Sequence, residues 1–180
     1  MNGKVPGKLL LLAGILFSAS AMASQSQVED IASLINQRLS WMKDVAGYKA
    51  KNHLAIEDLT QEAKVLSSSV SEAEKLGLNG ESVKPFIQAQ MDAAKAIQYR
   101  YRADWLSVEE QGWQPAPLEQ VRGKISALNT KILSEVKERL AAAPWVIDRP
   151  TFMATLDQAN LSAADKARLI ASLQQITLKK

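Results

Sequence analysis

Arg38-Leu-Ser-Trp-Met-Lys-Asp-Val-Ala-Gly-Tyr-Lys49, continued by Ile56-Glu-Asp58-Leu-Thr-Gln-Glu62, places two cations and two carboxylates where a helical protein ordinarily buries hydrocarbon. Around it Ile31, Leu34, Ile35, Leu39, Met42, Val45 and Ala46 recur at three- and four-residue spacing, which predicts one helix over 27–51. Arg38 and Lys49 are eleven residues apart, within about 20° of three full turns, so they share a face roughly 16 Å long with Met42 and Val45 between them. Removing an ion from water costs several kcal/mol even after relaxation. Two cations on a core-facing row therefore call for an anion to meet them.

Working outward, no segment shows the period-two alternation of a strand, and Ala, Leu, Gln, Lys and Glu dominate as in helix-rich chains. The expected class is all-α: a single-domain bundle of about six helices with the site enclosed within one chain. After a break at 52–56, a second helix is predicted over 57–76, with Leu59, Ala63, Leu66, Val70 and Ala73 inward. Gly77-Leu-Asn79-Gly80 ends it, glycine suiting a left-handed closing residue and Asn79 or Ser82 an N-cap. A third helix over 81–111 tolerates Pro85 only near its start and carries Ile87, Met91, Ala94, Gln98, Tyr101 and Trp105 inward. After the rigid Gly112-to-Pro117 linker, a fourth over 118–143 turns Leu118, Val121, Ile125, Leu128, Ile132 and Val136 inward, with Arg122 as intruder, and Pro144 stops it. A short helix over 148–157 precedes a last one opened by Ser162-Ala-Ala-Asp165, a capping-box variant.

The first residues read differently. Lys4 and Lys8, an apolar run from Leu9 to Phe17 too short to span a bilayer, and Ala21-Met22-Ala23 form the pattern of a secretory signal over 1–23, leaving 24–180 as the mature domain. Without Lys4 and Lys8 the formal charge falls from +3 to +1, which argues against nucleic acid as a partner, and no membrane association is expected after cleavage. Cys is absent, so an exported fold must rest on packing alone. The lone His53 falls in the expected bend and cannot make a zinc site without other ligands, so no metal is expected.

Each long helix thus adds a polar group to an otherwise apolar row: Arg38 and Lys49, Asp58 and Glu62, Gln98, Arg122. Singly, each has a plain explanation. Basic stems lie along apolar surface with their charge in water, Asp58 caps a helix, Glu62 pairs with a surface lysine, and Gln98 is a satisfied core amide. One pocket explains all six at once. Three cations against two carboxylates suit a small ligand bearing carboxylates, while the acids and the amide suit its hydroxyl or ether oxygens. With no Ser-His pair, Cys nucleophile or metal cluster, these residues can position and polarise.

Leu34-Ile-Asn-Gln-Arg38-Leu, Val45-Ala-Gly-Tyr-Lys49 and Ile56-Glu-Asp58 resemble the all-helical chorismate mutase family in its exported subclass, and the resemblance returns at Leu118-Glu-Gln-Val-Arg122 and Leu128-Asn129. It implies an isomerase that rearranges chorismate to prephenate without a cofactor, located in the periplasm or secreted after cleavage near Ala23. It also implies a homodimer with a complete site in each subunit. By matching positions, Arg38 and Arg122 would hold the two carboxylates, Lys49 and Gln98 would donate to the ether oxygen, and Glu62 with the backbone near Asp58 would take the ring hydroxyl. Lys49, Gln98 and Glu62 are then the expected catalytic residues. Gln61 stands where many relatives have an arginine near the second carboxylate, and Ala94 where some have Ser or Thr; activity with altered affinity is expected. Two rivals remain at this stage: an isochorismate pyruvate lyase on the same scaffold, and a non-enzymatic exported binding module.

Overall fold

The computed structural model describes residues 31–142 and 145–180. The expected signal segment and the expected stop at Pro144 lie outside the described residues. Helical residues 31–40 (α1) and Met42–Lys51 (α2) are separated only at Trp41, which keeps right-handed helical angles and accepts a hydrogen bond from Val45 N–H. They form the rod the periodicity predicts. Then come α3 (Leu59–Leu76), α4 (Gly80–Ser107), α5 (Leu118–Ala142), α6 (Arg149–Thr155) and α7 (Ala163–Leu173). With α1 and α2 taken together this is the expected set of six helices. Among the described residues no strand forms, and β-type pairing is limited to an antiparallel bridge between Leu78 and Leu178.

The local signals behind these boundaries are visible in the caps. Asp58 accepts from Gln61 N–H and opens α3, and Gly77 closes it at φ +88°, a left-handed conformation that a Cβ would strain. Asn79 accepts from the amides of Glu81 and Ser82 to open α4. Pro85 lies one residue further into α4 than the sequence suggests, but it is exposed, so water can donate to the carbonyl one turn earlier that its missing amide leaves unpaired. Ser162 and Asp165 cap each other's backbone amides in a full capping box ahead of α7. α4 ends at Ser107, short of the predicted 111.

α4 is the axis of the molecule: α2 and α3 pack on one side and α7 on another, with α5 against α2 and α3. Phe86, Ile87, Ile97, Ile132, Leu133, Phe152, Leu156, Leu169 and Leu173 are among the fully enclosed apolar side chains of a continuous core. The α4–α5 connection straps back over α2. Its Trp113 sits so close to Gly47 that a Cβ there would come within 2.5 Å of the ring, and Ala116 N–H donates to Asp44 at 2.8 Å. The tail returns to the α3–α4 turn, where Asn79 N–H reaches Thr177 O and Lys179 N–H reaches Gly77 O, both at 2.8 Å.

The second predicted row needs correction. Leu59 is 73% exposed and Ala63 is also exposed, while Ser69 joins Ala73 as a buried residue of α3. The first turns of α3 border a cavity rather than the core, and only its second half packs tightly.

Candidate active site

A cavity of about 470 Å³ opens between α1–α2, α3, α4 and α5. Every polar residue singled out from the sequence lines it: Arg38, Lys49, Asp58, Gln61, Glu62, Gln98 and Arg122. Its apolar wall comes from Met42, Val45, Met91, Ala94, Leu118 and Ile125, so the cations stand in a largely hydrocarbon setting.

Arg38 is 4% exposed, and its Nε and Nη1 have no hydrogen-bond partner. Burial lowers its pKa to about 10, which still leaves a full positive charge at neutral pH. An enclosed guanidinium with idle donors is a poor structural element and a good anion receptor. Lys49, 7% exposed, donates to the Ile56 carbonyl that ends the loop before α3. Its pKa lies below the usual lysine value, first through desolvation and then through Arg122 and Arg102, against the opposing pull of Asp58 and Glu62. The loop thus helps aim the ammonium.

Gln98 is 5% exposed; its Nε2 reaches Ala94 O at 3.1 Å and Met42 Sδ at 3.7 Å, while its Oε1 has no partner. Arg122, about one third exposed, lies 3.4 Å from Asp58 Oδ2 and 3.3 Å from Glu119 Oε1. Asp58 therefore does two jobs, capping α3 and steadying Arg122. Glu62 Oε2 accepts from Lys95 Nζ at 2.9 Å, and its Oε1 lies 3.4 Å from Asp58 N.

The comparisons with known proteins agree with this geometry. A secreted chorismate mutase from Yersinia pestis is 51% identical over 177 residues, covering 97% of this chain and 94% of that protein. The chain belongs to the chorismate mutase family. The profile of chorismate mutase type II matches residues 29–99. A monofunctional chorismate mutase from Enterobacter agglomerans is 39% identical, covering 93% of this chain and 92% of that one. The crystal structure of the secreted chorismate mutase from Yersinia pestis superposes with a TM-score of 0.81 and 56% identity over 83% of this chain and 97% of that chain.

As a chorismate mutase the chain is an isomerase acting on a small molecule, and neither the lyase nor the binding-module reading gains support. The profile ends at residue 99, so Arg122 comes from the part of the chain shared with the long relatives. The two departures from the family pattern both face the cavity: Gln61 lines it half-buried and Ala94 lines it buried. His53, by contrast, is an exposed loop residue at φ +54°. Among the described residues no three His, Cys, Asp or Glu side chains gather as metal ligands would.

Sequence reading missed Lys95 and the buried pair of Asn129 and Ser69, whose Nδ2 and Oγ meet at 2.8 Å on the cavity wall. Lys95 was detectable: Met91, Lys95 and Gln98 are spaced four and three apart, on the row already assigned to the site. Asn129 lies one turn after Ile125 on the same logic, but nothing in the sequence pairs it with Ser69.

Proposed function

We propose that the cavity binds chorismate in its compact pseudo-diaxial form and releases prephenate. Arg38 and Arg122 take the two carboxylates; Lys49 and Gln98 donate to the ether oxygen; Glu62 and the Asp58 backbone take the ring hydroxyl. The observation that carries this reading is the buried, unpartnered Arg38 guanidinium facing one cavity with Lys49 and Gln98.

The chemistry asks little more. In the rearrangement the ether C–O bond breaks as a C–C bond forms, and negative charge grows on the oxygen. A flexible dianion must first be folded. Two guanidiniums fix the conformer, while Lys49 and Gln98 favour the stretched, charge-separated state over the ground state. A million-fold acceleration requires about 8 kcal/mol, within the range of orientation plus two or three enclosed charge-assisted bonds. For Gln98 to donate, its Nε2 turns from Ala94 O and Met42 Sδ toward the substrate. Gln61, where many relatives have arginine, offers a neutral amide, so affinity rests more heavily on Arg38 and Arg122.

The chain is further proposed to be exported, its residues 1–23 being removed near Ala23 to leave a 24–180 domain in the periplasm or secreted. The naming of its relative as secreted supports this. A homodimer is proposed as well, as the family resemblance implies; that the seven polar residues assigned to the site all come from one chain supports one complete site per subunit. The test is direct turnover by the purified 24–180 protein: chorismate should yield prephenate. Unchanged chorismate, or salicylate and pyruvate formed from isochorismate, would overturn the assignment.

A further inference from the structure

Lys95 has no place in the substrate contacts above, yet it is built into the cavity wall. Its ammonium donates to Glu62 Oε2 at 2.9 Å and lies 3.7 Å from Asp92 Oδ1, with the Lys95 and Glu62 side chains only 22% and 19% exposed. The pair joins the first turn of α3 to the middle of α4. Asp92 in turn accepts from Gln88 at 2.9 Å and from Arg168 of α7 at 2.8 Å, so a run of alternating charge leads from the cavity to the last helix.

Glu62 has particular need of such a partner. The proposed substrate carries two carboxylates, so a third beside them needs a cation to offset the repulsion and to hold its orientation. Arg38 from α1, Lys49 from α2, Lys64 from α3, Lys95 from α4 and Arg122 from α5 are the cations that line the cavity with Glu62. Lys49 is engaged with Ile56 O, and Arg122 with Asp58 and Glu119. Lys95 is the cation in hydrogen-bond contact with Glu62. That hydrogen bond first, with the fields of Glu62, Asp92 and Glu57, holds the Lys95 pKa above the usual lysine value despite some desolvation.

We propose that Lys95 is a positioning residue for chorismate binding, neutralising Glu62 and aiming its carboxylate at the ring hydroxyl while a dianion lies alongside. The proposal rests on the assignment of the cavity to chorismate; a wild-type protein inert toward chorismate would break that assignment, whereas the variants below test Lys95 within an active enzyme.

The experiment compares wild type, K95M, K95R, E62Q and E62Q/K95M by steady-state kinetics, with thermal melts as control. K95M should raise KM for chorismate about tenfold, with kcat changed less than KM. K95R should restore most of the loss. E62Q/K95M should match E62Q, because an uncharged residue 62 leaves Lys95 nothing to hold. A K95M enzyme with wild-type KM, or one whose loss falls on kcat instead of KM, would overturn the proposal. So would a double variant much weaker than E62Q, which would make Lys95 a direct ligand. If K95M does not fold, the E62Q versus E62Q/K95M comparison decides, since that double variant leaves no unpaired carboxylate.

Discussion

The two faces of α4 are built to different ends. Toward the cavity it presents Met91, Ala94, Lys95 and Gln98, and there the packing is incomplete: Arg38 and Gln98 keep buried polar atoms without partners. On the opposite side Ala89, Ala93, Ala96 and Arg100 share a row, and α7 packs on α4 with buried leucines of its own and ion pairs between the two helices. Arg100 meets Asp165 at 2.7 Å and Arg168 meets Asp92 at 2.8 Å. One helix thus carries a face that spends stability on an unfilled receptor and a face that supplies it. The lesson is that unsatisfied buried groups converging on one cavity mark the place a ligand completes.

Substitutions should separate the two faces cleanly. The largest effect is expected from Arg38→Met, which should lower kcat/KM by about a thousandfold or more, roughly 4 kcal/mol. Its melting temperature should stay level or rise. The sign follows from the lowered pKa: because the folded state disfavours the charged form, the cost is present at every pH below about 10 and fades only as pH climbs above that toward the ordinary arginine range. A marked fall in melting temperature with intact turnover would reverse the roles of the two faces.

Leu173→Ala, on the α7 side and fully buried, should cost about 2–5 kcal/mol in unfolding free energy while kcat/KM, assayed well below the melt, stays within a few-fold of wild type. Chemical denaturation beside kinetics checks both halves. Gln98→Ala should remove about 2–4 kcal/mol of transition-state stabilisation, seen in kcat more than in KM. Ser162→Ala, which breaks the capping box of α7, should cost about 1 kcal/mol in stability and leave turnover alone. The mildest test is pH. Lys49 must stay protonated to donate, so the rate should decline on the alkaline side with an apparent pKa below the ordinary lysine value of 10.5, and Lys49→Arg should shift that limb upward if the variant remains active.

Much of this contrast was legible in the chain. Helical periodicity located the α1–α2 rod, and the intruding Arg38, Lys49, Asp58, Glu62, Gln98 and Arg122 all line one cavity. Asp58, Asn79 and Ser162 cap as their residue types suggest. The misreading of Leu59 and Ala63 has a simple cause. A row of apolar residues at helical spacing says which face is apolar, and it cannot say how far along the helix a neighbour covers that face. Lys95 escaped because a lysine next to two acids three or more residues away reads as an ordinary solvated pair until the fold encloses it.

The sequence by itself determined the helical class, most boundaries and the list of polar residues that interrupt the core, because propensity, capping and periodicity are properties of a few neighbouring residues. Only the tertiary structure decided which of those residues share a cavity, that Asp58 steadies Arg122, and that Glu62 belongs to Lys95. Such pairings depend on how helices far apart in the chain cross and how much water their crossing excludes, and both burial and electrostatics change steeply over a few ångströms.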